Sequence, residues 1–178
     1  MIKTLKKKKL DELNRLSVSE YKAEEKLDVI VVADNLRSGL NVGSIFRSMD
    51  CFKFSKIMLC GVTPTPPHKE ITKSAIGATH TVDWSYYDDT KEALKELHDL
   101  GYRIIGIEQT TNSQRFRDYQ FSSKIAIVMG NEVEGISDDA LPMLDDALEL
   151  EQYGTKHSFN VSVCAGIVLY EINKQLRP

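Results

Sequence analysis

Apolar and polar positions follow two rhythms along the 178-residue chain. Short apolar runs read as strands: Leu27–Ala33 (LDVIVVA), Lys56–Cys60 (KIMLC), Thr81–Trp84, Tyr102–Ile107 (YRIIGI), Ile125–Met129 (IAIVM) and Ala147–Leu150. The β-branched, unbroken ones have the pattern of strands buried on both faces. Between them, apolar residues recur at helical spacing. Helices are predicted over Val42–Phe52 with Asn41 as its N-cap, Glu70–Ile76 ending at Gly77, and Thr90–Leu100 stopped by Gly101. Two more are predicted over Asp138–Leu144, capped by Ser137, and Ser158–Leu176, with Ser158 as the cap. The TPTPP stretch at Thr63–Pro67 is a rigid loop, because proline blocks helix and sheet ladder alike.

This alternation predicts an α/β domain with a mainly parallel sheet and helices on both faces. Ahead of it, Leu5–Lys26 reads as helix, with Leu10, Leu13 and Leu16 at i, i+3 and i+6. Residues 1–26 are thus a helical extension and residues 27–178 the domain. In parallel sheets, ligands bind beyond the carboxyl ends of the strands. The loops after Ala33, Ile107, Met129 and Leu150 are therefore the places to look for chemistry, and three of the four are polar and carry glycine.

Hydrophobic residues make up 42% of the chain, enough for a real core. No apolar stretch reaches membrane-spanning length. Charge runs through the N-terminus where a signal peptide needs its apolar segment, so the expectation is a cytoplasmic protein. Cys51, Cys60 and Cys164 are widely spaced, the four histidines are scattered, and neither a disulfide framework nor a metal site is expected. The net charge of −3 is unevenly spread. Residues 1–26 hold eight Lys/Arg and five Asp/Glu, a balance of +3 that leaves −6 on the rest. The arm, Lys6, Lys7, Lys8 and Lys9 in particular, can touch phosphates or simply be a solvated helix end.

Three segments can carry chemistry. In Asp34–Asp50, the residues Asn41, Gly43 and Arg47 form N-x-G-x-x-x-R at a predicted helix start. A close-approach glycine, helix-start N–H groups and Arg47, with Arg37 in the preceding loop, can hold a phosphate; the same residues also fit a capped helix bearing an exposed arginine. Met129–Ser137 (MGNEVEGIS) packs two glycines and the carboxylates Glu132 and Glu134 into a turn after a buried strand. It is neither a Walker A loop nor G-x-G-x-x-G, which disfavours nicotinamide and flavin dehydrogenases. Leu150–Val163 carries Ser158 and Asn160 into the last helix. His157 beside Ser158 is not a nucleophile pair, because adjacent side chains in an extended loop point apart.

Taken together, NVGSIFR at Asn41–Arg47, GNEVEG at Gly130–Gly135 and SFNVSV at Ser158–Val163 resemble the SpoU family of RNA 2′-O-ribose methyltransferases, in the SPOUT class. The similarity runs from about Asp28 to about Lys174. Gly101–Ser113 (GYRIIGIEQTTNS) is similar to the TrmH-like group that modifies the D-loop guanosine of tRNA. The resemblance implies a C-terminal trefoil knot, which connection rules alone do not suggest. It also implies a homodimer, S-adenosylmethionine as cofactor and RNA, tRNA above all, as partner. Ribosomal RNA, the tRNA wobble position, and an RNA-binding knot protein without catalysis are the alternatives.

By match to the family motifs, the cofactor contacts are Ile107, Glu108, Gln109, Met129, Gly130, Leu150, Gln152, Ser158 and Phe159. The active-site positions are Asn41, Arg47, Glu132, Ser158 and Asn160. We expect Arg47 to grip the phosphate beside the target ribose and steady the alkoxide rather than accept its proton, Asn41 to hold Arg47 or the ribose, and Glu132 to fix the loops. Ser158 and Asn160 shape the pocket and the dimer seam. The chain departs from the family pattern at Glu151, where proline is usual, at Phe159 for leucine and at Cys164 for alanine.

Overall fold

A computed structural model describes residues 5–9 and 11–177. Seven strands form one sheet in the order β3-β2-β1-β6-β4-β7-β5, every neighbouring pair parallel. They are β1 (Leu27–Asp34), β2 (Phe54–Cys60), β3 (Asp83–Tyr87), β4 (Arg103–Ile107), β5 (Gln114–Arg115), β6 (Ile125–Met129) and β7 (Asp146–Glu149). The helices are α1 (Val18–Ala23), α2 (Gly39–Phe52), α3 (Lys69–Ala75), α4 (Thr90–Asp99) and α5 (Val161–Leu176).

The apolar runs have their predicted cause. Strand β1 lies between β2 and β6, with Val31 opposite Ile57 on one side and Ile127 on the other. Its side chains alternate between two cores. Val29, Val31 and Ala33 pack with α2, α3 and α5, while Ile30 and Val32 pack with Ala93, Leu94 and Leu97 of α4. From Val29 on both faces of the strand are buried, so no polar residue interrupts it between Asp28 and Asp34. After β7 the chain returns across the sheet and lays α5 against α2. This is the architecture of the knot-forming class.

The structure corrects several boundaries. The helix expected over Leu5–Lys26 is present only as α1, with a single 3-10 turn at Asp11–Leu13. Asn14 adopts a left-handed conformation that interrupts the leucine spacing, and Leu10, one of the three leucines, lies outside the described residues. Lys6, Lys7, Lys8 and Lys9 are exposed and not helical. Helix α1 instead starts at Ser17, whose side chain accepts from the N–H of Glu20 while the Glu20 side chain accepts from the N–H of Ser17. Helix α2 begins three residues early with Ser38 as N-cap, and Asn160 rather than Ser158 caps α5. Asp138–Leu144 is a turn followed by a 3-10 segment, Leu141–Met143, since Pro142 has no N–H to continue a helix. Strand β3 starts at Asp83 because Thr81 closes a preceding 3-10 turn.

Candidate active site

The carboxyl ends of β4, β6 and β7 and the start of α5 enclose a cleft of about 500 Å³. Its floor is apolar, from Ile107, Met129, Leu148, Leu150 and Val161. Its polar rim carries Glu108, Glu132, Glu134 and Glu149, and among the described residues no lysine or arginine lines it. All nine residues matched to cofactor contacts, Ile107, Glu108, Gln109, Met129, Gly130, Leu150, Gln152, Ser158 and Phe159, line this one cleft.

The Asn131–Gly135 turn forms one wall. The Asn131 side chain accepts from the N–H groups of Val133 and Glu134 and donates to the Asn35 carbonyl. Gly130 is obligatory, because a Cβ there falls 2.2 Å from the backbone of Gly135 and Ile136. Gly135 sits at φ +74° with the Glu108 carboxylate directly against it. Glu108 accepts from the N–H groups of Ile136 and Gln109, so it fastens the β4 loop to this turn.

Glu132 fastens the turn to α2. Its carboxylate accepts from the N–H of Arg37 (2.9 Å), the N–H of Ser38 (3.1 Å) and Asn41 Nδ2 (2.9 Å). Burial by itself raises this carboxyl, but the donors at Arg37, Asn41 and Ser38 outweigh it and hold the group below its usual value. The free carbonyl end of Asn41 accepts from Asn160 Nδ2 at 3.2 Å. Asn160 Oδ1 in turn accepts from the N–H groups of Ser162 and Val163 and from Ser162 Oγ. A single polar chain thus runs from the turn through α2 to the first turn of α5.

Sequence reasoning missed two supporting residues. Asp34 is fully buried and accepts from Asn35 Nδ2, Thr90 Oγ1, and the N–H and hydroxyl of Ser137. It joins the β1 loop, α4 and the far end of the β6 turn. The other is Asn131. Their signals are a carboxylate closing an otherwise apolar strand and an asparagine opening a turn.

The loop from Leu150 to Asn160 crosses the mouth of the cleft. Gln109 Nε2 and Gln152 Nε2 both donate to the His157 carbonyl, at 2.7 and 3.3 Å. Glu151, the departure from proline, pairs with Arg117 Nε, and Arg117 Nη2 donates to the Tyr153 hydroxyl at 2.8 Å. An ion pair therefore holds the loop where a proline ring does so in the family pattern. Cys164 lines the cleft, and burial first, then Glu108, pushes its thiol up to about 11. It stays protonated and is a poor competitor for an electrophile.

Arg47 is not in the cleft. It is exposed on α2, six residues beyond Asn41, which places it about 240° round the helix and about 9 Å along it. It lines a separate groove between α2 and α3. Asn41, engaged by Glu132 and Asn160, does not hold Arg47. Gly43 makes its close approach to α3, where an added Cβ meets Ser74 Oγ at 2.1 Å and the Ile71 carbonyl at 2.5 Å. The Arg37 side chain is exposed while its N–H is committed to Glu132. Ser158 lines the cleft and caps nothing. Among the described residues no group of three or more His, Cys, Asp or Glu side chains is placed to hold a metal ion.

The model of the SpoU rRNA Methylase family matches residues 28–170. A tRNA (guanosine(18)-2′-O)-methyltransferase of Aquifex aeolicus is 28% identical over 151 residues, 83% of this chain and 70% of that one. The crystal structure of the A. aeolicus TrmH/SpoU tRNA modifying enzyme superposes with a TM-score of 0.79 at 26% identity, over 89% of this chain and 80% of that one. The AdoMet-bound rRNA methyltransferase of Sinorhizobium meliloti shares the fold at a TM-score of 0.80 and 22% identity, over 86% of this chain and 59% of that one. With three motifs at three neighbouring strand ends and a family match over most of its length, this chain belongs to the SpoU family of SPOUT-class RNA methyltransferases, among its TrmH-like members.

Proposed function

We propose that the protein methylates a ribose 2′-hydroxyl of RNA from S-adenosylmethionine, with tRNA as substrate and its D-loop guanosine as the target. The acidic, apolar-floored cleft carries this reading. A sulfonium ligand is cationic, and four carboxylates with no opposing lysine or arginine suit it. The apolar floor suits an adenine. The AdoMet carried by the S. meliloti structure supports the same ligand. Bound there, S-adenosylmethionine supplies an electrophilic methyl group.

The chain's own residues supply position and charge. Ser158 and Phe159 border the cleft, and the Glu132–Asn41–Asn160 chain fixes the walls around it. The Arg47 guanidinium acts as a clamp on the phosphate beside the target ribose and stabilises the developing alkoxide. The proton leaves through phosphate or water. Arg37 and Lys6, Lys7, Lys8 and Lys9 add contacts to the RNA backbone.

A homodimer completes the site. One copy's cleft lacks an arginine, and α5 exposes Val163, Ile167 and Tyr170 at i, i+4 and i+7, with Leu40 of α2 also exposed. A second copy seated there brings Arg47 to the neighbouring cleft. Ile167→Lys then yields monomers in sedimentation, and a stable dimer refutes this face. The cytoplasm, where tRNA is processed, is the expected compartment.

The test is incubation with labelled S-adenosylmethionine and unmodified tRNA, followed by nuclease mapping of the product. Label on a ribose supports the reading, and label on a base refutes it. Arg47→Ala binding tRNA and cofactor normally but turning over at the wild-type rate removes the clamp role.

A further inference from the structure

The groove between α2 and α3 has no part in the cleft, and its chemistry is of the opposite sign. It is lined by Arg47, Ser48, Phe52, Lys73, Ser74 and Ile76, among others, and no carboxylate side chain lines it. Some cations elsewhere are neutralised by a neighbouring carboxylate, as Lys26 is by Asp83, Lys53 by Glu24, Lys91 by Asp139, Arg103 by Asp146 and Arg117 by Glu151. Arg47 and Lys73 are exposed and form no ion pair or hydrogen bond among the described residues. Two uncompensated cations in one groove, on a body whose charge is otherwise negative, form a local anion site.

The serine hydroxyls add no negative charge. Ser48 Oγ donates back to the Ser44 carbonyl and Ser74 Oγ to the Glu70 carbonyl. Gly43 holds the two helices at a fixed separation, so the groove is preformed.

Ile76 provides an independent observation. It caps α3 in the left-handed conformation, φ 49° and ψ 47°, and is 68% exposed. A β-branched residue is strained there, and the exposed side chain gains nothing from burial. Glycine or asparagine is the ordinary occupant of such a cap. The strain holds an apolar surface at the edge of a cationic groove, where it can pack on a ribose or base beside a phosphate.

From this we infer that the α2–α3 groove binds the RNA backbone, Lys73 taking a phosphate neighbouring the one held by Arg47 and Ile76 packing against the adjoining nucleoside. The inference rests on the RNA methylation reading and extends it from one phosphate to a track. The groove lies on the face of α2 turned toward α3, so the strand enters from that side and passes Arg47 to the neighbouring copy's cleft.

The test compares wild type, Lys73→Ala, Lys73→Arg and Ile76→Gly for binding of an unmodified tRNA transcript over a salt series. Isothermal titration of S-adenosylmethionine serves as the fold control. Lys73→Ala is expected to weaken tRNA binding about fivefold and to lower the salt slope by about one, while Lys73→Arg retains both. Ile76→Gly is expected to raise the melting temperature yet weaken tRNA binding, a pairing that a purely structural residue does not give. If Lys73→Ala leaves affinity and slope intact while wild type binds and methylates tRNA, the track is refuted and the methylation reading stands. If wild type binds tRNA but transfers no methyl group, the methylation reading fails and the groove is judged on binding alone. Loss of self-association in Lys73→Ala, with RNA affinity per dimer unchanged, marks the groove as a protein contact and overturns the inference.

Discussion

Asn41 and Asn160 stand 119 positions apart in the chain and meet side chain to side chain, Nδ2 of Asn160 donating to Oδ1 of Asn41 at 3.2 Å. Each also serves a helix or a loop of its own: Asn41 is tied to Glu132, and Asn160 caps α5. The two motifs that flank the cleft are therefore one mechanical unit.

The two duties of Asn160 separate by substitution. Asn160→Asp keeps an acceptor for the N–H groups of Ser162 and Val163 but loses the donor to Asn41. Asn160→Ala loses both. Urea unfolding is expected to find the alanine variant about 1 kcal/mol less stable and the aspartate variant near wild type. Methyl transfer is expected to fall in both. Wild-type turnover by Asn160→Asp argues that the link to Asn41 is dispensable.

Glu132 makes stability depend on pH in a defined direction. A carboxyl held below its ordinary value of 4.5 contributes fully above that value, and the contribution disappears as pH falls through the folded-state value. Glu132→Gln presents an amide where three donors expect a carboxylate, a cost of about 1–2 kcal/mol at neutral pH. The gap between wild type and Glu132→Gln in chemical denaturation should therefore close as the pH is taken below the ordinary carboxyl range. A gap that stays constant with pH contradicts the assignment.

Gly43 is a packing residue before it is anything else. The Cβ of Gly43→Ala meets both Ser74 Oγ and the Ile71 carbonyl, and the second contact cannot be relieved by a rotamer change. Overpacking of this kind costs about 1–3 kcal/mol. Thermal unfolding should show that loss, and adding Ser74→Ala should recover only part of it. Full recovery in the double variant places the whole clash on the serine hydroxyl.

The Arg117 pair with Glu151 holds the loop over the cleft from its exposed side. Arg117→Ala is expected to leave the global unfolding midpoint essentially unchanged, since exposed ion pairs contribute little. The loop loses its anchor, and S-adenosylmethionine affinity falls by up to about fivefold. Calorimetry at low and high salt checks both parts: the deficit should shrink in high salt as the wild-type pair is screened. Identical affinities for the two proteins at low salt remove the anchoring role.

The strands were readable because burial on both faces leaves an unbroken apolar run, as in Val29–Ala33. The helix starts were not, since Ser38 and Asn41 are both good N-caps and only a carboxylate ninety-four positions from Ser38 decides between them. Ser158 and Asn160 pose the same ambiguity, settled by the contact with Asn41. The two-residue β5 has no period to detect, and it forms because Gln114 and Arg115 lie beside Leu148 and Glu149. Arg47 shows a further limit. Its motif places it in sequence beside Asn41, but the helical repeat turns it to another face. The acceptor roles of Asp34 and Glu108 depend on backbone N–H groups that arrive 103 and 28 positions later, respectively.

Because β6 sits between β1 and β4, the order of synthesis matters for this sheet. Strand β1 ends at Asp34, and the partner that covers its second edge begins only at Ile125. While the chain is emerging from the ribosome, β1 can pair with β2 but keeps a row of unpaired backbone groups amid bare apolar surface. Such an edge is a template for association with another nascent chain. Chains that stall or are cut before Met129 are thus candidates for chaperone capture or aggregation, and the midpoint of the sheet is completed only once Ile125–Met129 has emerged.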